Sequence, residues 1–328
     1  MPGMLAGLGI LSFAVAWVVL RLLLSRFRTL VLDTPNERSL HERPVPRTGG
    51  IAVFLGAAMS VWFGAAQLWL PIVIALSLAA VSFVDDLRGM PTAARLVAHF
   101  AAAAALVWYA SRPTDPVTAI IVIVAVAWIT NLYNFMDGAD GLAGGMALIG
   151  FGAYAVAAGA SGDMALTALC VALVAASAAF LIYNFHPARI FLGDVGSIPL
   201  GFLAAALGVV GWRDDVWPPW FPILVFAPFI GDATVTLLKR LLRGDRIWQA
   251  HREHYYQRMV RMGLGHRCTA WLAYVAMMVC AAAALYGRTQ PPAVQAIAFV
   301  AASALLAAAA VWVDVGWMRF LRRTERPA

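Results

Sequence analysis

The chain is 328 residues long, 62% apolar and only 12% charged, with a net charge of +7. A soluble chain of this length carries about twice that charged fraction. The polar residues here are too few to cover a soluble core, so a large water-soluble protein is excluded. The excess of positive charge bears on membrane sidedness rather than on nucleic acid.

In chain order, the first apolar run is MLAGLGILSFAVAWVVLRLLL. It has no basic segment before it and no small-residue cleavage site before Arg21, so it reads as a retained helix rather than a signal peptide. Runs of about 17–22 apolar residues, the length a helix needs to cross a bilayer, then recur to the end. About eleven spans are expected, at 3–24, 50–67, 69–84, 95–110, 117–135, 142–159, 164–185, 197–212, 219–238, 270–286 and 293–318. Very short connections near Trp69, Ser161 and Gln290 make the helices around them antiparallel. No linker is long enough to part a second domain, so residues 1–328 read as one all-α, polytopic integral membrane domain. The scattered cysteines Cys170, Cys268 and Cys280 form neither a disulfide framework nor a metal motif.

The distribution of Lys and Arg sets an expected orientation. With the N-terminus outside, the outer loops hold only Arg112, Arg213 and Arg288, and the other twenty-one Lys and Arg fall on the cytoplasmic side or at that boundary. The odd number of spans then leaves the C-terminus cytoplasmic. Five polar, Gly-rich segments fall on that same inner face: Leu32–Gly50, Ser82–Met90, Asn131–Gly145, Asn184–Ser197 and Arg243–Arg267. A transporter would spread polar groups through the midplane or use both faces. This pattern points to a site at the membrane surface.

The inner segments are rich in carboxylates. Asp85 and Asp86 end the third span. On a helix they point about 100° apart, so one can hold a metal while the other handles a proton or a cation. Asp137 and Asp140 share a face if their segment is helical. Asp194 lies in FLGDVGS, where Gly193 and Gly196 permit close backbone approach and Ser197 is placed to cap the next helix. A lone aspartate there would pass as a cap or an ion pair, but five converging on one face are functional candidates. Hard oxygen ligands favour Mg2+, with Mn2+ as the alternative, over zinc.

The basic candidates are His41, Arg47, Arg243, Arg246, His251, Arg252, His254 and Arg258. His251 and His254 share a face if WQAHREHYYQR is helical, and contacts to phosphate oxygens suit them better than a transition metal because arginines flank both. His99 and His266 are assigned packing or interface roles. A divalent metal with acidic anchors and a basic rim suits phosphoryl chemistry between a soluble nucleotide and a membrane-held phosphate.

The ordered series DTPNERSLHERPVPRTGGIA, VDDLRG, NLYNFMDGADGLAGG, FLGDVGSIPLGF and HREHYYQR resembles the polyprenyl-phosphate N-acetylhexosamine-1-phosphate transferases, glycosyltransferase family 4, over about residues 30–268. The resemblance implies a multi-pass protein of the cell inner membrane with a cytoplasmic active site. It implies transfer of a sugar-1-phosphate from a UDP-N-acetyl-amino-sugar to undecaprenyl phosphate, with Mg2+, leaving UMP. It places Asp85 and Asp86 near the polyprenyl phosphate, and Asn131, Asn134, Asp137 and Asp140 on the nucleotide side. It makes Asp194, with Asp86, the metal ligands. His251 and His254 would lie near the diphosphate or sugar, with His41, Arg47, Arg243 and Arg252 binding substrate.

Two departures stand out. Gly89 occupies the position where the peptidoglycan enzyme, phospho-N-acetylmuramoyl-pentapeptide transferase, has a lysine, and HREH replaces that enzyme's three consecutive histidines. The O-antigen-initiating branch of lipopolysaccharide synthesis is the better match, with the peptidoglycan enzyme and a lipid-linked sugar transporter as rivals. The donor sugar stays open among GlcNAc, GalNAc, FucNAc and QuiNAc types. Direct attack by the lipid phosphate is favoured over a phospho-sugar on an aspartate, because that phosphate is already ionised. Ala- and Gly-rich helices can pack within one chain or between two, which leaves a homodimer open.

Overall fold

Capping residues and helix breakers divide the apolar runs into elements. The computed structural model describes residues 2–35, 40, 41, 43–110, 115–246, 249 and 251–324. Arg112 and parts of the DTPNERSLHER and WQAHREH stretches lie outside the described residues. The long helices are α1 (Pro2–Arg26), α3 (Trp69–Arg88), α4 (Thr92–Tyr109), α5 (Pro116–Phe135), α6 (Leu142–Ser161), α7 (Met164–Asn184), α8 (Asp194–Arg213), α12 (Gly265–Gly287) and α13 (Pro292–Thr324). Shorter helices are α2 (Gly49–Ala57), α9 (Trp220–Val225), α10 (Ala227–Leu242) and α11 (Tyr255–Met259). Asp115 caps α5, accepting from Val117 N and Thr118 N at 3.0 Å each, with Pro116 in the first helical position. Asp163 caps α7 through Leu166 N at 2.9 Å.

Among the described residues, nine helices are long and apolar enough to cross a membrane. The all-α, polytopic expectation stands, but two of the eleven expected spans are shorter or broken. The run 50–67 is helical only to Ala57, then tightens into 3-10 turns on either side of Gly64. That glycine takes a left-handed conformation at φ 108°. The run 219–238 breaks at Phe226, between α9 and α10, in a stretch interrupted by Pro222 and Pro228.

The most buried of the long helices are α6, α7 and α8. The apolar window of α8 is 89% buried, against 11% for α13. With no helix–helix hydrophobic drive in lipid, such packing relies on small residues and on matched polar groups. Tyr133 donates to Ala143 O at 2.8 Å, Tyr154 to Ala204 O at 2.9 Å and the Trp217 indole to Gly208 O at 3.0 Å. Each ring thus fills apolar space while its polar tip is satisfied. This core carries the loops that converge at one end.

Candidate active site at the converging loops

The first and fourth loops join through backbone. Strands β1 (Leu32–Asp33) and β2 (Val45–Pro46) pair antiparallel. The second of these receives Phe191 N on Pro46 O at 2.7 Å, and Gly49 and Gly50 then donate to Phe191 O and Leu192 O at 2.9 Å. No side chain fits in this seam, since a Cβ added at Gly50 would lie 2.3 Å from Gly196 Cα. The seam therefore fixes Arg47 beside Asp194.

Around it the carboxylates gather. Arg47 pairs with Asp86 at 3.3 Å, and Arg95 pairs with Asp85 at 3.3 Å and reaches Asp194 at 4.0 Å. Asp86 also lies within the electrostatic reach of Asp194, Asp85 and Asp33. Asp137 is pushed well above the usual carboxylate range by burial, then by the charges of Asp194 and Asp33. Asn134 accepts from Ser197 Oγ at 2.7 Å, which ties the third loop to the fourth. Asn131 turns back to Ala127 O at 2.7 Å on its own helix.

Three sequence expectations change here. Residues 136–141 form a turn, not a helix, so Asp137 and Asp140 do not share a face. Asp137 joins the Asp194 group, while Asp140 turns to His186 and His266. Ser197 is not a cap: α8 starts at Asp194 behind Gly193, and Ser197 binds Asn134 instead. His266, given a packing or interface role, instead joins two of the loops. Its Nε2 donates to Leu40 O at 3.2 Å, which leaves Nδ1 to accept from Asp140 N at 3.2 Å. Asp140 in turn receives His186 Nδ1 at 2.6 Å and Ala188 N at 3.1 Å. Ligand atoms of Asp140, His186 and His266 lie within 4.8 Å of one another. Their hydrogen bonds already match one another, so the trio reads as a fixed network rather than a metal centre.

The fifth loop carries the histidine pair. Residues 251–254 are not helical, and α11 begins only at Tyr255, yet the His251 and His254 rings are 4.9 Å apart. His254 lies between the near-parallel rings of Phe135 and Tyr256, at 6.3 and 5.9 Å. His251 is pushed down to about 4 by burial, then by the neighbouring His254 and Arg240, so it is neutral at pH 7. The expected basic rim is largely neutralised. Arg243 pairs with Asp245 and Glu253, Arg240 with Glu253, and Arg258 with Asp314. Arg246 is exposed, and Arg252 gives its carbonyl to Arg261 at 3.2 Å. His41 stands edge-on to Phe191 and 3.8 Å from Asp33. His99 is buried in α4, as expected of a packing residue.

Residues 68–212 match the family model for Glycosyl transferase family 4. A decaprenyl-phosphate N-acetylglucosaminephosphotransferase of Mycolicibacterium smegmatis is 30% identical over 313 residues, covering 80% of this chain and 76% of that protein. The chain belongs to glycosyl transferase family 4. A probable undecaprenyl-phosphate N-acetylglucosaminyl 1-phosphate transferase of Bacillus subtilis is 28% identical over 267 residues, 74% of each chain. A phospho-N-acetylmuramoyl-pentapeptide-transferase of Geobacillus thermodenitrificans is 48% identical, but over 81 residues and 25% of each chain.

Within this family member, Asp33, Arg95, His186, Asp232 and Glu253 were not singled out by sequence reasoning. Arg95 supplies the cation that Gly89 withholds, ten residues beyond Asp85 and from the next helix. His186 lies in the Asn184–Ser197 segment, but nothing local links it to Asp140, 46 positions away.

Proposed function

We propose that this protein transfers N-acetylhexosamine-1-phosphate from a UDP-sugar to undecaprenyl phosphate, releasing UMP, at the cytoplasmic face of the cell inner membrane. The observation that carries this reading is the convergence of Asp85, Asp86, Asp137 and Asp194 with Arg47 and Arg95 at one end of a membrane bundle. An oxygen of the lipid phosphate attacks the β-phosphorus of the nucleotide sugar. The bond to the α-phosphate oxygen breaks, and UMP takes the electron pair. Asp85 and Asp86 lie on the lipid-phosphate side, with Arg95 and Arg47 offsetting charge on the phosphates. Asn134 and Asp137 bind the nucleotide, Asp140 holds His186 beside them, and His251 and His254 contact the diphosphate or sugar.

The donor set fits a divalent cation. Carboxylates outnumber the two guanidiniums among them, and Asp137 is pushed above the usual carboxylate range by burial and then by the charges of Asp194 and Asp33. Asp194 and Asp86 would hold Mg2+, which supplies charge neutralisation on the pyrophosphate. N-acetylglucosamine is the sugar named in the two relatives that align along most of their length, and it is the donor we propose. The pathway reading is initiation of a cell-surface polysaccharide of the O-antigen type.

Purified protein given undecaprenyl phosphate, Mg2+ and a panel of UDP-sugars should release UMP fastest from UDP-N-acetylglucosamine. Absence of Mg2+-dependent UMP from every N-acetylhexosamine donor would sink the proposal. A preference for the muramoyl-pentapeptide donor would move the protein to peptidoglycan synthesis.

A further inference from the structure

Asp232 sits near the start of α10, just after the break at Phe226, on an element from which sequence reading took no catalytic candidate. Its side chain is 9% exposed and is surrounded by donors. Oδ1 accepts from His254 Nδ1 at 3.2 Å, Tyr255 N at 2.9 Å and Thr236 Oγ at 3.3 Å. Oδ2 accepts from Tyr256 N at 3.0 Å. One carboxylate thus closes the first turn of α11 and grips the imidazole that precedes it. A carboxylate can only accept from a ring N–H, so His254 must carry its proton on Nδ1. Nε2 is then the nitrogen left for chemistry.

The ring has no freedom to choose otherwise. Phe135 and Tyr256 flank it, and the Tyr256 hydroxyl donates to Phe135 O at 3.0 Å. Gly138 leaves the room for that hydroxyl, because a Cβ there would lie 2.1 Å from it. His254 is therefore held in register with the turn that bears Asp137. The titratable groups around it are Asp232, His251 and Tyr256, with Asp137 beyond Tyr256.

We infer that Asp232 is the positioning residue of His254, fixing the tautomer that turns Nε2 toward the substrate and stabilising the imidazolium when that nitrogen takes a proton or meets a phosphate. The inference rests on the role given to His254 under the proposed function. The arrangement has the logic of a carboxylate behind a catalytic imidazole, where loss of the carboxylate leaves the ring in place but in the wrong tautomer. Asp314 anchors the same segment from behind, through Arg258 at 3.0 Å and Lys239 at 2.5 Å, without touching His254. It is the control for a merely structural anchor.

The experiment combines kinetics with nitrogen NMR on histidine-labelled protein. Asp232→Asn should lower kcat by about 100-fold, leave KM for the UDP-sugar within about twofold, and shift the acidic limb of the rate profile to lower pH. Asp314→Asn should lower Tm without moving that limb. Adding Asp232→Asn to His254→Ala should cost nothing further, because the two act as one unit. An equal loss in both backgrounds, or unchanged kcat in the single variant, would overturn the inference. Wild-type turnover in His254→Ala would instead remove the reading of His254 on which it rests. If Asp232→Asn does not fold, the wild-type spectrum decides. Protonation of His254 at Nδ1 is expected, and protonation at Nε2 alone would refute the inference.

Discussion

Two sides of the cleft solve the same problem differently. On one side Asp86 and Asp194 face Arg47 and Arg95 across 3.3–4.0 Å, a loose arrangement of charges, while Asp85 pairs with Arg95 at 3.3 Å and also accepts from Met90 N. On the other, Asp140 and Asp232 are enclosed by imidazoles and backbone N–H groups at 2.6–3.2 Å. A saturated carboxylate holds a neighbour in place. An under-compensated one, such as Asp137, remains available to a cation or a ligand. The carboxylates of this cleft therefore divide into those that bind and those that position, and neighbouring charge decides which is which.

The comparison breaks most visibly at Asp194. Asp194→Asn should cost about 1000-fold in kcat, measured as UMP release, because an amide cannot supply the anionic ligand. Near-normal turnover would show that the open side is not where the metal binds. Asp137→Asn should lose most activity yet raise Tm in detergent without divalent ions, since it removes a disfavoured charge. The sign follows from linkage. The folded pKa of Asp137 lies above its unfolded value, so its carboxyl favours the fold at low pH, and that contribution is lost as pH rises through the folded pKa. In Asp137→Asn this fall in Tm with rising pH should be smaller.

Arg95→Ala should lower kcat/KM for the polyprenyl phosphate by about 30-fold, the loss of roughly 2 kcal/mol of charged hydrogen bonding. Arg95→Lys should recover part of it. On the enclosed side the expected effects are smaller. His186→Ala should raise KM for the UDP-sugar by about fivefold and lower stability by about 1 kcal/mol, since His186 is partly exposed and its pairing is screened. Smallest is His251. Its folded pKa, about 4, lies below the ordinary histidine value of 6.5, so the unfolded chain binds the proton first and stability falls as pH drops through that window. His251→Gln should flatten the Tm–pH curve between those values.

The fold was legible because hydropathy needs no partners: a run of apolar residues of bilayer length is a span wherever it packs. The break at Gly64 was less so, because it lies inside an apolar run and only backbone conformation reveals it, whereas Pro222 and Pro228 mark the stretch that breaks at Phe226. Asp85, Asp86, Asp137 and Asp194 were legible as a group because short motifs carry them. Arg95, His186 and Asp232 were not, because each acts on a residue that another loop delivers, 10, 46 and 22 positions away. The helical periods assumed for Asp137–Asp140 and His251–His254 failed for a related reason. Turns, not helices, aim those side chains, and the turns are held by partners distant in sequence.

The measurement that bears most directly on the account is the fate of the β-phosphorus. UDP-N-acetylglucosamine labelled at that atom is incubated with the purified protein, undecaprenyl phosphate and Mg2+, and the lipid and aqueous fractions are counted. The account predicts label in the lipid, one per UMP released, and none without Mg2+ or in Asp194→Asn. Label that stays in the nucleotide while sugar enters the lipid, or no lipid label with any N-acetylhexosamine donor, would contradict it.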